Sequence, residues 1–279
     1  MRGTVTVQLT NGFGNNLFQY VAARQLSEFL GSELFVLPFS SDYYAIPDLA
    51  RLGISCTKNI KARDLIRISD YNYPRSFDNS LRGKDLFLSG YFENYKYYYH
   101  NLDKIKSWFP SVKKRNDNDL VLHMRTGDRL FFKNEFHTKP RIQNYLSAIE
   151  NFNFENLHVV TDMPMWSTVT EDELKMMKFH HNVPTNERVP IKESVTYINE
   201  IIKGLERYNP RIQKRTIAED FNFIRSFNNI LFEHGTLSWW ASVLSQASKV
   251  GVYGPWRPWK GDSNKNLSNI PLDGWFKWK

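Results

Sequence analysis

Short apolar runs alternate along the chain with longer segments in which apolar residues recur every three or four positions. The runs predict strands and the longer segments predict helices. In the first half, strands are predicted at Thr4–Leu9, Glu33–Leu37 and Leu86–Ser89, and helices at Leu17–Gly31 and Tyr95–Trp108. Residues 10–16 predict a turn-rich loop, and residues 40–83 are irregular and predict no defined element.

The second half repeats this alternation. Strands are predicted at Leu120–Met124, Leu157–Thr161, Asn229–Phe232 and Val250–Tyr253, and helices at Arg141–Asn151, Ile191–Arg207, Thr216–Phe227 and Thr236–Ser248. Strands that alternate with helices favour parallel sheets. The sequence therefore predicts an α/β protein with two domains that face a cleft. We expect a first domain at 1–110, a polar linker at 111–119, a second domain at 120–265 and a tail at 266–279.

Composition narrows the class of protein. The chain has 279 residues, of which 41% are hydrophobic, enough for a substantial core. The formal charge of +8 suits an anionic partner such as a phosphorylated substrate, nucleic acid or a membrane surface. One cysteine, Cys56, excludes an intramolecular disulfide and favours a reducing, cytoplasmic compartment. No apolar run approaches ~18 residues, so we expect no membrane span, although peripheral association with a membrane fits the charge.

Glycines follow the first predicted strand. Gly12, Gly14 and Asn15 lie in this turn, where glycine permits close backbone approach and the amides of the next helix favour an anion. The pattern is not the dinucleotide motif G-x-G-x-x-G, because position 17 is leucine. An ordinary structural turn is the alternative interpretation.

The segment with the most chemistry runs from His123 to Asp128, at the carboxyl end of a predicted strand, where open α/β sheets bind ligands. Arg125 offers the planar set of donors that suits a diphosphate, and His123 can hydrogen-bond the donor or rest as a buried histidine. Asp128 is a candidate general base or a partner that orients Arg125. Glu135, in an aromatic loop shortly after, is a second candidate base.

A third segment joins a predicted strand to a helix through Gly235, Thr236, Leu237 and Ser238. We expect Thr236 to cap this helix and the neighbouring amides to receive a phosphate. Upstream, Asp220 is a candidate acceptor for a guanine amino group. The bulky Trp239 and Trp240 are expected to pack in the core.

The three segments together resemble the family 11 (α-1,2) fucosyltransferases. NGFGNNLFQYVAARQLSE resembles the N-terminal G-x-G-N-x-x-F-Q-Y segment, and LHMRTGD resembles H-x-R-R-x-D. AEDFNFIRSFNNILFEHGTLSWWASVL resembles the segment that ends in S-T-F-S-W-W-G-A-W, and GYFENYKYY resembles G-Y-W-Q-x-x-x-Y-F. The likeness spans nearly the whole chain. One departure is Thr126, which stands where the family has a second arginine.

This resemblance implies a GT-B fold of two Rossmann-like domains, with the acceptor on the side of the first and the donor nucleotide mainly on the second. It implies an inverting, metal-independent glycosyltransferase that needs no cofactor and transfers fucose from GDP-fucose to a glycan. By the same resemblance Arg125 binds phosphate, Asp220 binds guanine, and Thr236, with Leu237 and Ser238 beside it, forms the phosphate-binding turn.

Several alternatives stay open. The same scaffold with another donor, such as a UDP-sugar, is one, and a non-catalytic sugar- or nucleotide-binding module is another. Nucleic acid is not an expected partner, because no recognised binding motif and no gathered basic segment are present. Asp117-Asn118-Asp119 matches the Asp-x-Asp metal pattern, but it precedes its strand and so lies at the wrong edge of a sheet. No metal site is predicted.

Overall fold

The computed structural model describes residues 2–10, 12–57, 65–161, 184–213, 215–233, 235–254, 272 and 274–279. Tertiary contacts divide the chain into two compact units. So far as they are described, the first unit contains Met1–Val112 and Thr216–Phe221, and the second contains Lys113–Arg215, Asn222–Pro255 and Pro271–Lys279. None of the described helices is long and apolar enough to cross a membrane.

The first unit contains a four-stranded, wholly parallel sheet with the order β2-β1-β4-β3. Its strands are β1 (Thr4–Gln8), β2 (Glu33–Leu37), β3 (Ile66–Ile68) and β4 (Leu86–Leu88). Its helices are α1 (Phe13–Leu30), α2 (Ile46–Arg51) and α3 (Leu102–Ser107).

Helix α1 forms the connection between β1 and β2. Leu17, Val21 and Leu26 of this helix are fully buried, whereas Phe29 near its end is exposed. The helix ends where Gly31 adopts a left-handed conformation with φ 66°, and the amide of Ser32 then bonds to the carbonyl of Ser27. Glycine is suited to this position because it has no Cβ to clash there.

The second unit contains a six-stranded parallel sheet with the order β10-β9-β8-β5-β6-β7. Its strands are β5 (Leu120–Met124), β6 (Leu157–Thr161), β7 (Arg211–Gln213), β8 (Asn229–Phe232), β9 (Lys249–Tyr253) and β10 (Phe276–Trp278). Its helices are α4 (Lys133–Phe136), α5 (Ile142–Ile149), α6 (Ile191–Leu205) and α8 (Thr236–Val243), while α7 (Ile217–Arg225) begins in residues grouped with the first unit. Every residue of β5, β6 and β8 is buried, as expected for inner strands of a parallel sheet with both faces covered.

The two parallel sheets confirm the predicted α/β class. Some element bounds are wrong: α1 begins at Phe13, four residues before the predicted start, because buried polar residues such as Asn16 occupy its first turn and hide the apolar period. Two short 3₁₀ turns and then α3 replace the single helix expected at Tyr95–Trp108. The three-residue strands β3, β7 and β10 carry too few positions to show a period, and β10 lies within the predicted tail.

Candidate functional site

The carboxyl ends of β5 and β8 lie side by side in the second sheet. In the parallel register His123 stands beside Phe232, and the amide of Glu233 donates to the carbonyl of His123 over 3.2 Å. The chain leaves β5 into the Arg125 loop and leaves β8 into the turn that starts α8. Two of the three predicted segments therefore meet at the carboxyl ends of the strands in this sheet, where open α/β sheets bind ligands.

His123 and Ser238 are in direct contact at these strand ends. The Oγ of Ser238 and the Nδ1 of His123 share a hydrogen bond, and both side chains are buried. Ser238 lies in the first turn of α8, so this bond ties the start of the helix to the end of β5. It also fixes the orientation of the imidazole ring.

Arg125 lies next to the start of α8. A Cβ added to Gly235 would lie 3.7 Å from the Cδ of Arg125 and 3.5 Å from the Oγ of Ser238. The φ of Gly235 is 173°, extended backbone that any residue adopts, so glycine is not required there by conformation. Because glycine has no side chain, room for about one methyl group remains between the arginine and the helix.

In the described part of the chain, the positive start of α8 has neither a side-chain cap nor an acidic residue in its first turn. Gly235, rather than the predicted Thr236, is the N-cap residue, because Thr236 already lies inside the helix and the amide of Trp239 bonds to the carbonyl of Gly235. The first amides of a helix have no partner within it and favour an anion, as does the nearby guanidinium of Arg125.

A buried ion pair, not predicted from the sequence, lies directly behind these strand ends. The Nζ of Lys139 donates to the Oε2 of Glu233 over 2.6 Å and to the backbone carbonyl of Arg125 over 2.5 Å. Lys139 is 7% exposed and Glu233 is 3% exposed. Glu233 follows β8 immediately, and this position at the end of a predicted strand was the sequence feature that could have indicated its role. Nothing in the sequence around Lys139 distinguishes it from a surface lysine.

Two tyrosines complete this network. The hydroxyl of Tyr145 donates to Oε1 of Glu233 and lies 3.3 Å from the hydroxyl of Tyr197, which donates to the carbonyl of Pro140 over 3.1 Å. Burial raises the pKa of Tyr145 well above its ordinary value, and the charge of Glu233 raises it further. Burial also raises the pKa of Tyr197. Both hydroxyls therefore stay protonated at neutral pH and remain available as donors.

Thr126 stands where the motif that this segment resembles has a second arginine. Its side chain is 1% exposed, and its Oγ1 lies 2.9 Å from the Oγ1 of Thr161 at the end of β6. This side chain joins two neighbouring strand ends and adds no positive charge to the edge of the sheet.

The structure describes the remaining candidates of the second and third segments to different extents. Asp128 begins a 3₁₀ turn (Asp128–Leu130) and Glu135 lies in α4, but their side chains lie outside the described part of the chain. Asp220 is half-buried in the first turn of α7 and is grouped with the first unit, whereas Arg125, His123 and Ser238 belong to the second. Trp239 and Trp240 are 1% and 0% exposed, which confirms their predicted packing role.

The glycine segment of the first unit is tied down by polar contacts. Gly12, with φ 103°, is the N-cap of α1, and its amide donates to the hydroxyl of Tyr43 over 3.1 Å. Gly14 and Asn15 lie in the first turn of the helix rather than in a loop. Asn16 donates to the carbonyl of Thr10 over 2.7 Å and accepts from Tyr43 over 2.9 Å. The motif thus has an evident structural function in joining β1, α1 and Tyr43.

The Asp-x-Asp match lies at the amino end of β5, as expected. Asp119 is 1% exposed and accepts hydrogen bonds from Asn156 over 2.8 Å and from Arg115 over 3.0 Å, with Nε2 of His158 at 2.8 Å. Asp117 also pairs with Arg115. These carboxylates serve a buried polar network. Within the described residues no three His, Cys, Asp or Glu side chains gather in a group suited to a metal ion.

The fold and the edge with Arg125 define an α/β protein with a candidate anion site. No protein-family model matches the chain, and no curated protein matches it. Among solved structures, the chain is similar to the bacterial iron-containing dodecameric glycosyltransferase TibC from enterotoxigenic E. coli H10407, with a TM-score of 0.39 and 9% identity. The match covers 90% of this chain and 58% of TibC.

Proposed function

We propose that this protein is a glycosyltransferase that moves fucose from GDP-fucose to a hydroxyl of a glycan, with inversion and without a metal ion. The observation that carries the proposal is the position of Arg125 beside the uncapped start of α8. The resemblance to family 11 fucosyltransferases supplies the donor, because the phosphate-binding arginine and the phosphate-binding turn of that family correspond to these two elements.

The chemistry required of such a site is stabilisation of a leaving group. As the acceptor oxygen forms its bond to the anomeric carbon, the bond from that carbon to the diphosphate oxygen breaks, and the nucleoside diphosphate leaves with both electrons. Arg125 and the first amides of α8 would bind the negative charge that grows on this oxygen. The acceptor hydroxyl gives its proton to a general base, for which Asp128 and Glu135 remain the candidates.

Substitution of Arg125 by alanine tests the anion site. A hydrogen bond to a charged group contributes about 1.5–3 kcal/mol, so we expect GDP to bind roughly 10- to 150-fold more weakly to the variant and turnover to be abolished. Isothermal titration calorimetry measures the affinity, and circular dichroism checks the fold. Arg207→Ala is the matched control, because Arg207 is half-exposed and pairs with Glu150 in the same unit. Unchanged GDP affinity in Arg125→Ala would refute the proposal.

A ligand panel separates the donor alternatives. A ligand that binds the native state raises the melting temperature, so GDP, UDP, ADP and dTDP are compared, followed by the matching nucleotide sugars. The buried Thr126 keeps a UDP-sugar as the second candidate, because the edge has one fewer cation than the family motif provides. A shift with UDP alone would favour that candidate. Binding without transfer to any glycan would indicate a non-catalytic module, and loss of activity with a chelator would contradict the metal-free mechanism.

A further inference from the structure

Lys139 connects the two loops that form the candidate anion site. One of its hydrogen bonds ends on the backbone of Arg125, and the other ends on the carboxylate of Glu233, two residues before Gly235. The ion pair spans 94 positions of sequence. A single ammonium group is thus held between the loop after β5 and the loop after β8.

Burial of this pair is hard to explain by stability alone. Removing two opposite charges from water costs as much as their attraction returns in many proteins, and apolar residues of similar size are often as stable. What a fully bonded polar network provides is one fixed arrangement. Here Glu233 has both oxygens bonded, one to Lys139 and one to Tyr145, so the start of the β8–α8 turn is held in place.

We propose that Lys139 and Glu233 are positioning residues that hold Arg125 and the start of α8 at the separation needed to bind a diphosphate. This inference rests on the proposed function, in which Arg125 binds the diphosphate of the donor. Lys139 does not contact the anion. It acts through the carbonyl of Arg125 and through Glu233.

The charge of Lys139 contributes to anion binding in addition to its role in positioning the two loops. Glu233 lies next to a site that must attract a negatively charged ligand, and an uncompensated carboxylate there would repel it or attract the guanidinium of Arg125. Lys139 neutralises this carboxylate over 2.6 Å in a buried setting, where charges are screened little. Loss of Lys139 would therefore weaken anion binding both by loosening the loop and by exposing the site to a negative charge.

The test uses two variants of the full chain. Lys139→Met leaves Glu233 buried without its cation, and the double variant Lys139→Met/Glu233→Gln removes that charge as well, which restores folding if the single variant is too unstable. Calorimetry measures the affinity for GDP and for inorganic pyrophosphate, and differential scanning calorimetry measures the melting temperature. We expect at least tenfold weaker binding of both probes in both variants.

Asp119→Asn is the matched control, because it changes a buried carboxylate at the amino end of β5, whereas the candidate site lies at the carboxyl ends of the strands. It should lower the melting temperature without changing pyrophosphate affinity. Affinity within twofold of wild type in the folded double variant would overturn the inference while the proposed function stands. If the wild type binds pyrophosphate but no nucleoside diphosphate, the proposed function fails and the pyrophosphate comparison still decides the inference. If it binds neither, both are overturned.

Discussion

Gly235→Ala separates the folding of the candidate site from its capacity to bind an anion. The added methyl group would lie 3.5 Å from the Oγ of Ser238 and 3.7 Å from the Cδ of Arg125, which are ordinary van der Waals contacts. The φ of 173° suits alanine without strain. The substitution should therefore be accommodated by the fold, and the methyl group should fill the space between the arginine and the helix.

We expect this substitution to stabilise the fold but to weaken the binding of GDP. Replacing glycine by alanine in a compatible conformation lowers the entropy of the unfolded chain and stabilises a protein by about 0.4–1 kcal/mol. Binding should weaken, because a phosphate held away from one helix amide loses a charge-assisted hydrogen bond of about 1.5–3 kcal/mol. This loss corresponds to a roughly 10- to 150-fold increase in the Kd for GDP.

The assay pairs urea denaturation with calorimetric titration of GDP. Gly254→Ala is the control, since a Cβ there would contact the side chain of Lys277 at 3.8 Å and, among the described atoms within 4 Å, would not contact Arg125. The control should leave GDP affinity unchanged. If Gly235→Ala is folded and binds GDP as tightly as the wild type, the anion does not occupy this space and the assignment of the site is refuted.

Two further predictions concern the second sheet. In Gly251→Ala, the new Cβ would lie 2.5 Å from the ring of Phe276 in β10 and 2.7 Å from Leu231. We therefore expect urea denaturation to show a loss of about 1–3 kcal/mol in the free energy of unfolding, partly restored by Phe276→Leu. An unchanged free energy of unfolding would contradict the pairing of β9 with β10. Burial lowers the pKa of His158 despite the opposing influence of Asp119, so the unfolded chain takes up a proton more readily than the folded protein. The free energy of unfolding should therefore fall as pH drops below about 6.5, by at most about 1.4 kcal/mol per pH unit. The variant His158→Gln should flatten this slope between pH 5 and 6.5, and an unchanged slope would show that His158 is not responsible.

The same network predicts a second, more acidic loss of stability. Burial alone would raise the pKa of Asp119, but hydrogen bonds from Asn156 and His158 and the charge of Arg115 outweigh burial and lower it. A lowered carboxylate pKa stabilises the folded state above about pH 3.9 and stops doing so as pH falls through the folded pKa. Both groups therefore destabilise the protein toward acid, in separate pH ranges.

The inner strands could be predicted from sequence almost without error. The structure has β5, β6 and β8 at the predicted residues, because a strand buried on both faces needs a continuous apolar run. The short strands β3 and β7 form through pairing with a neighbouring strand, and no local pattern encodes that contact. Local periodicity predicts burial, whereas pairing depends on the whole sheet.

Only part of the arrangement at the candidate site could be predicted from the sequence. His123 and Ser238 both lie in segments that follow predicted strands, but their hydrogen bond depends on the pairing of β5 with β8, which no local pattern encodes. The N-cap was misassigned to Thr236 because its hydroxyl resembles a cap, whereas the backbone ends its extended conformation one residue earlier, at Gly235. Lys139 could not be predicted, since its role depends on a partner 94 positions away.

The pairing of β5 with β8 also has a consequence for the order of folding events. The hydrogen bond between His123 and Ser238 closes a loop of 115 positions, and long loops carry an entropic cost that must be met before their contacts form. Parallel pairings of this kind are slow to form. A refolding chain should therefore bury much of its apolar surface before Arg125 and α8 meet, and affinity for a nucleotide should return in a later kinetic phase than compactness.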